Sequence, residues 1–173
     1  MSTKYFGKYK GTVLFNNDLE FRGRLILAVP DVTQLIPNTW AEPCVPLSGP
    51  PGASMGVYMV PPVGAGVWVE FEAGNPCKPI WVGCRWDKAS DVPPLAHLGL
   101  PVAPNLLFQS FGKNAIVISD LPTPVGGIMI KSGIANASII VNDTGIYIQN
   151  GKGASINLVG NAVLVNGGAL TVV

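Results

Sequence analysis

The last third of the chain repeats one short pattern: two apolar residues one position apart, at Ile139/Val141, Ile146/Ile148, Ile156/Leu158, Val163/Val165 and Leu170/Val172, with Gly or Asn between successive pairs. Alternation of period two within a pair is the signature of a β-strand, and its return after seven to ten residues means short strands stacked one on the next. Such a stack is long and thin, and in one copy its apolar seam faces water. The chain is therefore expected to wind around copies of itself. Gly145, Gly151, Gly153, Gly160, Gly167 and Gly168 fall between the pairs and are expected as corners. A left-handed parallel β-helix would need a regular six-residue period, whereas the pairs here step by seven, ten, seven and seven residues. A helix shared among three chains, every strand paired to another chain, is the expectation instead.

Composition supports large protein–protein contacts. Only 12% of the 173 residues are charged, against about 25% in an ordinary soluble domain. The net charge of +1 gives no argument for an anionic polymer or membrane surface. Lys4, Lys8 and Lys10 alternate with Tyr and Gly rather than leading into an apolar run, so no secretory signal is expected. The apolar stretch over residues 57–69 is broken by Pro61, Pro62, Gly64 and Gly66, short of the roughly 18 residues a membrane helix needs. The expectation is a soluble chain made in the cytoplasm. Cys44, Cys77 and Cys84 lack a Cys-x-x-Cys spacing and are expected as buried free thiols, and His97, the one histidine, lies in a Pro-rich segment where a metal ligand is not expected. No cofactor is implied.

Upstream, strands are expected over residues 12–15, 24–29, 40–45, 57–60, 67–72 and 80–84, separated by turn chemistry at Asn16-Asn17-Asp18, residues 48–52 and Gly74-Asn75-Pro76. Five or six short strands in about 80 residues suit a small closed barrel of the OB type. Residues 88–105 are Pro-punctuated and read as a linker. Strands over 106–109, 115–119 and 128–131, around a turn at Pro122-Thr123-Pro124, lead into the stack. The fold class is all-β: an OB barrel in 1–87, a linker in 88–105 and an intertwined trimeric β-helix needle in 106–173.

Specific residues carry a resemblance. Gly11-Thr-Val, Arg22-Gly-Arg24, Val29-Pro-Asp31, Trp40-Ala-Glu-Pro43, Val60-Pro-Pro-Val-Gly64, Val67-Trp-Val-Glu-Phe-Glu72, Gly74-Asn-Pro76 and Pro79-Ile-Trp-Val-Gly83 stand in the order seen in the OB domain of contractile-tail spikes. Ser110-Phe-Gly112, residues 116–120 and Gly126-Gly-Ile-Met-Ile130 resemble that family's first elements after the barrel. The family comprises phage baseplate assembly protein V and the VgrG spikes of type VI and extracellular contractile injection systems. The resemblance implies a homotrimeric, membrane-piercing needle at the centre of a baseplate, seated on a hub and capped by a PAAR-type tip protein. Where some members carry a lysozyme domain between barrel and needle, residues 88–105 are too few to hold one, and with the barrel starting in the first dozen residues the hub is expected to be a separate polypeptide. A His often follows Gly in the post-barrel segment, but Lys113-Asn114 follows Gly112 here.

No catalytic set emerges, and the expectation is a non-enzyme. Glu70 and Glu72, two apart on an expected strand, would share a face as a carboxylate pair, but solvated edge charges are the simpler reading. Gly151-Lys-Gly153 lacks phosphate-loop spacing. The rival class is a nucleic-acid-binding OB domain stacking bases on Trp40, Trp68, Trp81, Trp86, Tyr58 and Phe71. Between Gly11 and Asp87, however, Arg22, Arg24, Lys78 and Arg85 stand against seven carboxylates, so no basic groove is expected. A carbohydrate-binding β-rod is a further alternative. In the favoured reading Ile139, Val141, Ile146, Ile148, Ile156, Leu158, Val163, Val165, Leu170 and Val172 point to a threefold axis. Asn142, Thr144, Gln149, Asn157, Asn161, Asn166 and Thr171 point outward, capping corners. Leu170, Val172 and Val173 form an apolar end on which the cap docks, while the aromatic barrel face and residues 49–55 are candidates for the hub side.

Overall fold

The structure, a computed structural model, describes residues 3–32, 39–122 and 126–172. It is built of strands and 3-10 turns, in two compact units, residues 1–89 and 90–173. No helix of the described residues is long and apolar enough to cross a membrane.

In the first unit, β1 (Tyr9–Phe15), β2 (Leu25–Ala28), β3 (Trp40–Pro43), β4 (Gly66–Phe71) and β5 (Pro79–Arg85) close into a barrel of order β1-β2-β3-β5-β4. Its pairings are antiparallel except β3 with β5, where Glu42 lies opposite Ile80 in parallel register. The period-two pattern does the work expected of it: Val13, Leu25, Leu27, Val67, Val69 and Phe71 alternate inward and meet Ala41 and Trp81 in one core. The buried indole of Trp81 donates from Nε1 to the Gly23 carbonyl at 3.0 Å, so its polar edge is satisfied.

The expected strand over residues 57–60 does not form. β4 is already flanked by β1 and β5, so the closed barrel offers this segment no edge to pair with. Instead Ser48 bridges Gly56, the Val57 N–H donates to the Leu47 carbonyl at 3.1 Å, and only Val60 of the four packs on the core. The expected burial of the thiols is also corrected: Cys44, Cys77 and Cys84 are free and exposed, Cys84 on the outward side of β5, Cys77 in the turn before it and Cys44 just past the end of β3.

In the second unit, eight strands form one antiparallel meander: β6 (Leu106–Gln109), β7 (Ala115–Ser119), β8 (Gly127–Lys131), β9 (Ser138–Asn142), β10 (Gly145–Gln149), β11 (Ser155–Val159), β12 (Ala162–Val165) and β13 (Leu170–Val172). The expectation that every strand pairs with another chain is corrected here. β7 to β12 each spend both backbone edges on their sequence neighbours, leaving β6 and β13 as the sheet's edges. Corners of two to seven residues let each strand pair at once with the next one, at a lower loop-closure cost than pairing across chains. The expected turn at Pro122-Thr123-Pro124 runs into residues 123–125, outside the described residues.

The expected linker holds 3-10 turns at Ala89–Asp91 and Pro94–Leu98, and the second unit begins at Ser90. Asn105 Nδ2 donates to the Leu95 carbonyl at 2.9 Å, tying Pro94–Leu98 to the start of β6. Under it, against Val117, Met129 and Ile140, lies a mostly apolar hollow of about 320 Å3.

Candidate functional site

The registers of the meander align the apolar pairs into two unbroken columns on one sheet face. One runs Phe108, Ile116, Ile130, Ile139, Ile148, Ile156, Val165, Leu170, each the register partner of the next. The other runs Leu106, Ile118, Ile128, Val141, Ile146, Leu158, Val163, Val172. The structure thus brings all ten residues expected at the axis to one face, Val172 by its position opposite Val163. Val173, the third residue expected at the tip, lies outside the described residues. Six members of the columns went unrecognised in the sequence: Leu106, Phe108, Ile116, Ile118, Ile128 and Ile130. Their signal is the same apolar-x-apolar spacing, masked by longer and less regular corners between β6, β7, β8 and β9.

This face is open to water. From β7 to β11 its side chains are between 36% (Ile146) and 49% (Ile130) exposed. An antiparallel sheet with one solvated face ordinarily turns its polar residues to the water; here branched apolar residues are on the open side. The opposite face carries Leu107, then Val117, Met129 and Ile140 over the hollow, then Tyr147, Asn157 and Leu164. The charged residues of the sheet region avoid the columns: Lys113, Asp120, Asp143 and Lys152 are in corners, and Lys131 alternates to the opposite face. An uncharged, ridged apolar strip eight strands long can do little chemically, but it can bury itself against matching copies.

Amides hold the corners. Asn142 Oδ1 accepts the Thr144 N–H at 3.0 Å and its hydroxyl at 2.7 Å, and Asn150 Oδ1 accepts the N–H groups of Lys152 and Ala154 at 2.8 and 3.0 Å. Two more bonds link one corner to the next hairpin: Gly133 N–H to Asn114 Oδ1 at 3.1 Å, and Ser155 N–H to Asn166 Oδ1 at 3.0 Å. Of the side chains expected to cap corners, Asn142 and Asn166 do so, while Asn114 and Asn150 cap without having been expected. Gly151 shows why corners need glycine: it takes φ +70, and a Cβ there would lie 1.7 Å from the Ala135 carbonyl of the neighbouring corner.

The barrel offers no matching constellation for the chemical alternatives. Glu70 is on β4 and ion-pairs with Lys8, whereas Glu72 lies beyond the strand in a 3-10 turn and accepts from Lys78 Nζ at 3.2 Å, so the expected shared face is absent. Of the six aromatics the nucleic-acid reading would stack bases on, Trp81 and Phe71 are in the core, and Trp86 and Tyr58 are exposed. Arg22 pairs with Glu42 at 2.8 Å, Arg24 with Asp18 at 2.6 Å, and Arg85 with Asp87. The four cations between Gly11 and Asp87 thus each have a carboxylate partner, which leaves a phosphate backbone little to bind in that stretch.

The comparisons with known proteins agree with this division. Residues 9–86 match the family model of the type VI secretion system/phage-baseplate injector OB domain, and residues 105–171 match that of the phage baseplate V C-terminal trimerisation domain. No curated protein matches the chain.

Proposed function

Because the chain belongs to the phage baseplate V family, with an injector OB domain followed by a trimerisation domain, we propose that it is the homotrimeric central spike of a contractile injection machine, driven through a target envelope when the sheath contracts. The observation that carries the reading is the pair of apolar columns left open in one chain. Three sheets set with these faces inward would remove the whole strip from water while leaving the opposite face of β10 to β13 outside. In this reading Ile139, Val141, Ile146, Ile148, Ile156, Leu158, Val163, Val165, Leu170 and Val172 line the threefold axis, joined by the six column residues of β6 to β8. Residues 1–87 form the hub-side barrel, 88–105 a joint and 106–173 the needle, and the role is structural rather than enzymatic.

The partners follow from the same reading: a separate hub protein at the barrel, and a PAAR-type cap at the end of the sheet where β13 keeps one backbone edge open. Strand addition to β13 beside Leu170, Val172 and Val173 is the docking mode. Made in the cytoplasm, the spike ends in the baseplate of the assembled particle. Native mass spectrometry of the full chain tests the core of this proposal, with a trimer expected; a stable, soluble monomer would sink it. Salt-sensitive micromolar binding to single-stranded DNA would instead favour the nucleic-acid reading, and turnover of peptidoglycan dependent on Glu70 or Glu72 an enzyme.

A further inference from the structure

The β1–β2 connection, residues 16–24, is built around one carboxylate. Asp18 is buried, and its side chain accepts five hydrogen bonds: the N–H groups of Glu20, Arg22 and Arg24 at 3.1, 2.9 and 3.3 Å, and Arg24 Nε and Nη2 at 3.1 and 2.6 Å. Arg24 is held in turn over the Trp40 ring at 5.2 Å and against Glu20 at 3.0 Å. This network forces Phe21 into the left-handed region at φ +54, a conformation costly for an aromatic residue. The result is a rigid loop that holds two large apolar side chains out in water, Leu19 at 81% and Phe21 at 78% exposed. Tyr58, also exposed, stands beside the loop's base, its ring 3.7 Å from where a Gly23 Cβ would be.

In OB barrels this first loop is a common ligand-binding element, and here it lacks the means to hold an anion. Its two arginines are spent on Asp18, Glu20 and Glu42, and the carboxylates of Glu20 and Glu42 remain substantially exposed. An acidic fringe around an ordered apolar knob opposes nucleic acid and anionic lipid, and complements a protein pocket with an apolar floor and a basic rim. The matched trimerisation domain begins at residue 105, so self-association has a surface of its own in the other unit.

We propose that the Asp18-braced loop is a preformed anchor that seats Leu19 and Phe21 in an apolar, basic-rimmed pocket on a different protein subunit of the baseplate. This rests on the spike reading and names the residues through which the barrel joins its neighbour. The order imposed by Asp18 means that little entropy is lost on docking.

The test uses assembled particles and the full chain. p-Benzoylphenylalanine at position 21 should crosslink, in the particle, to one other baseplate subunit identified by peptide mass spectrometry; a crosslink to a second copy of this chain, to lipid or to nucleic acid, or no crosslink despite incorporation, overturns the proposal. Leu19→Ser combined with Phe21→Gly should leave the trimer and the barrel's melting temperature intact, since one side chain is solvated and the glycine relieves a strained φ. Incorporation into particles should fall about thirtyfold, the loss expected on removing a principal anchor, and undiminished incorporation overturns the proposal. If the unaltered chain is absent from particles, the spike reading itself fails.

Discussion

The Asp18 carboxylate, with five N–H donors on it, two of them from the Arg24 side chain, is held well below the usual carboxylate range, that side chain being the chief cause. A depressed folded value means that Asp18 favours the folded barrel in full above the ordinary Asp value of about 3.9, and that this contribution fades as pH falls from there through the folded value. Asp18→Asn should therefore unfold at lower urea than the parent at pH 7. The gap should narrow below about pH 4, and tryptophan fluorescence of the barrel will follow it. A gap that widens in acid would contradict the assignment. On the apolar columns, Ile156→Asp would bring three carboxylates to one dry axis, where each desolvated charge costs several kcal/mol, and should abolish the trimer seen by sedimentation. Asn157→Asp, on the opposite face, should trimerise normally; equal behaviour of the two variants would refute the face assignment.

Strands of three to five residues gain little by themselves, and the meander holds because each is paired as soon as the chain turns. The corner glycines make that possible; all six glycines expected between the pairs take positive φ, five in corners and Gly145 as the first residue of β10. Gly151→Ala would force an L residue to φ +70 and press its Cβ into the Ala135 carbonyl. A cost of at least roughly 1–2 kcal/mol per chain follows from the conformation alone. The eight-stranded unit should lose thermal stability while the barrel, a separate unit with its own core, keeps its urea midpoint; a loss shared by both units would show the corner argument to be incomplete. The corners were legible because Gly and Asn punctuate the apolar pairs. The pairing partners were not, since the same spacing suits a strand bonded to its own neighbour or to another chain.

A chain that completes its own strand pairing presents a finished sheet face to its copies, not loose strands. The backbone entropy of β6 to β13 is thus spent within one chain, and association gains from side-chain burial, about 1.5–3 kcal/mol for each large apolar residue taken fully out of water. The trimer should accordingly assemble from folded chains. Circular dichroism during dilution should show strand content preserved as the trimer dissociates. Loss of all strand signal on dissociation would restore the interwound picture. A fragment ending at Asp87 should remain folded and monomeric in native mass spectrometry.

The sequence alone determined the strands, their alternation and the apolar spacing that marks one face, because these depend on local periodicity and on the few residues able to turn the chain. It also carried the ordered motifs of the family. It could not place Asp18 at the centre of the first barrel loop: only the tertiary turn brings the N–H groups of Glu20, Arg22 and Arg24 onto one carboxylate. Nor could it deny a strand to residues 57–60, whose β propensity is real but for which barrel closure leaves no free edge. The two columns are the same lesson in reverse. Each pair was readable on its own, but only the register of eight strands joins Phe108 to Leu170 in one line, because lateral neighbourhood in a sheet is fixed by hydrogen bonds between segments and not by distance along the chain.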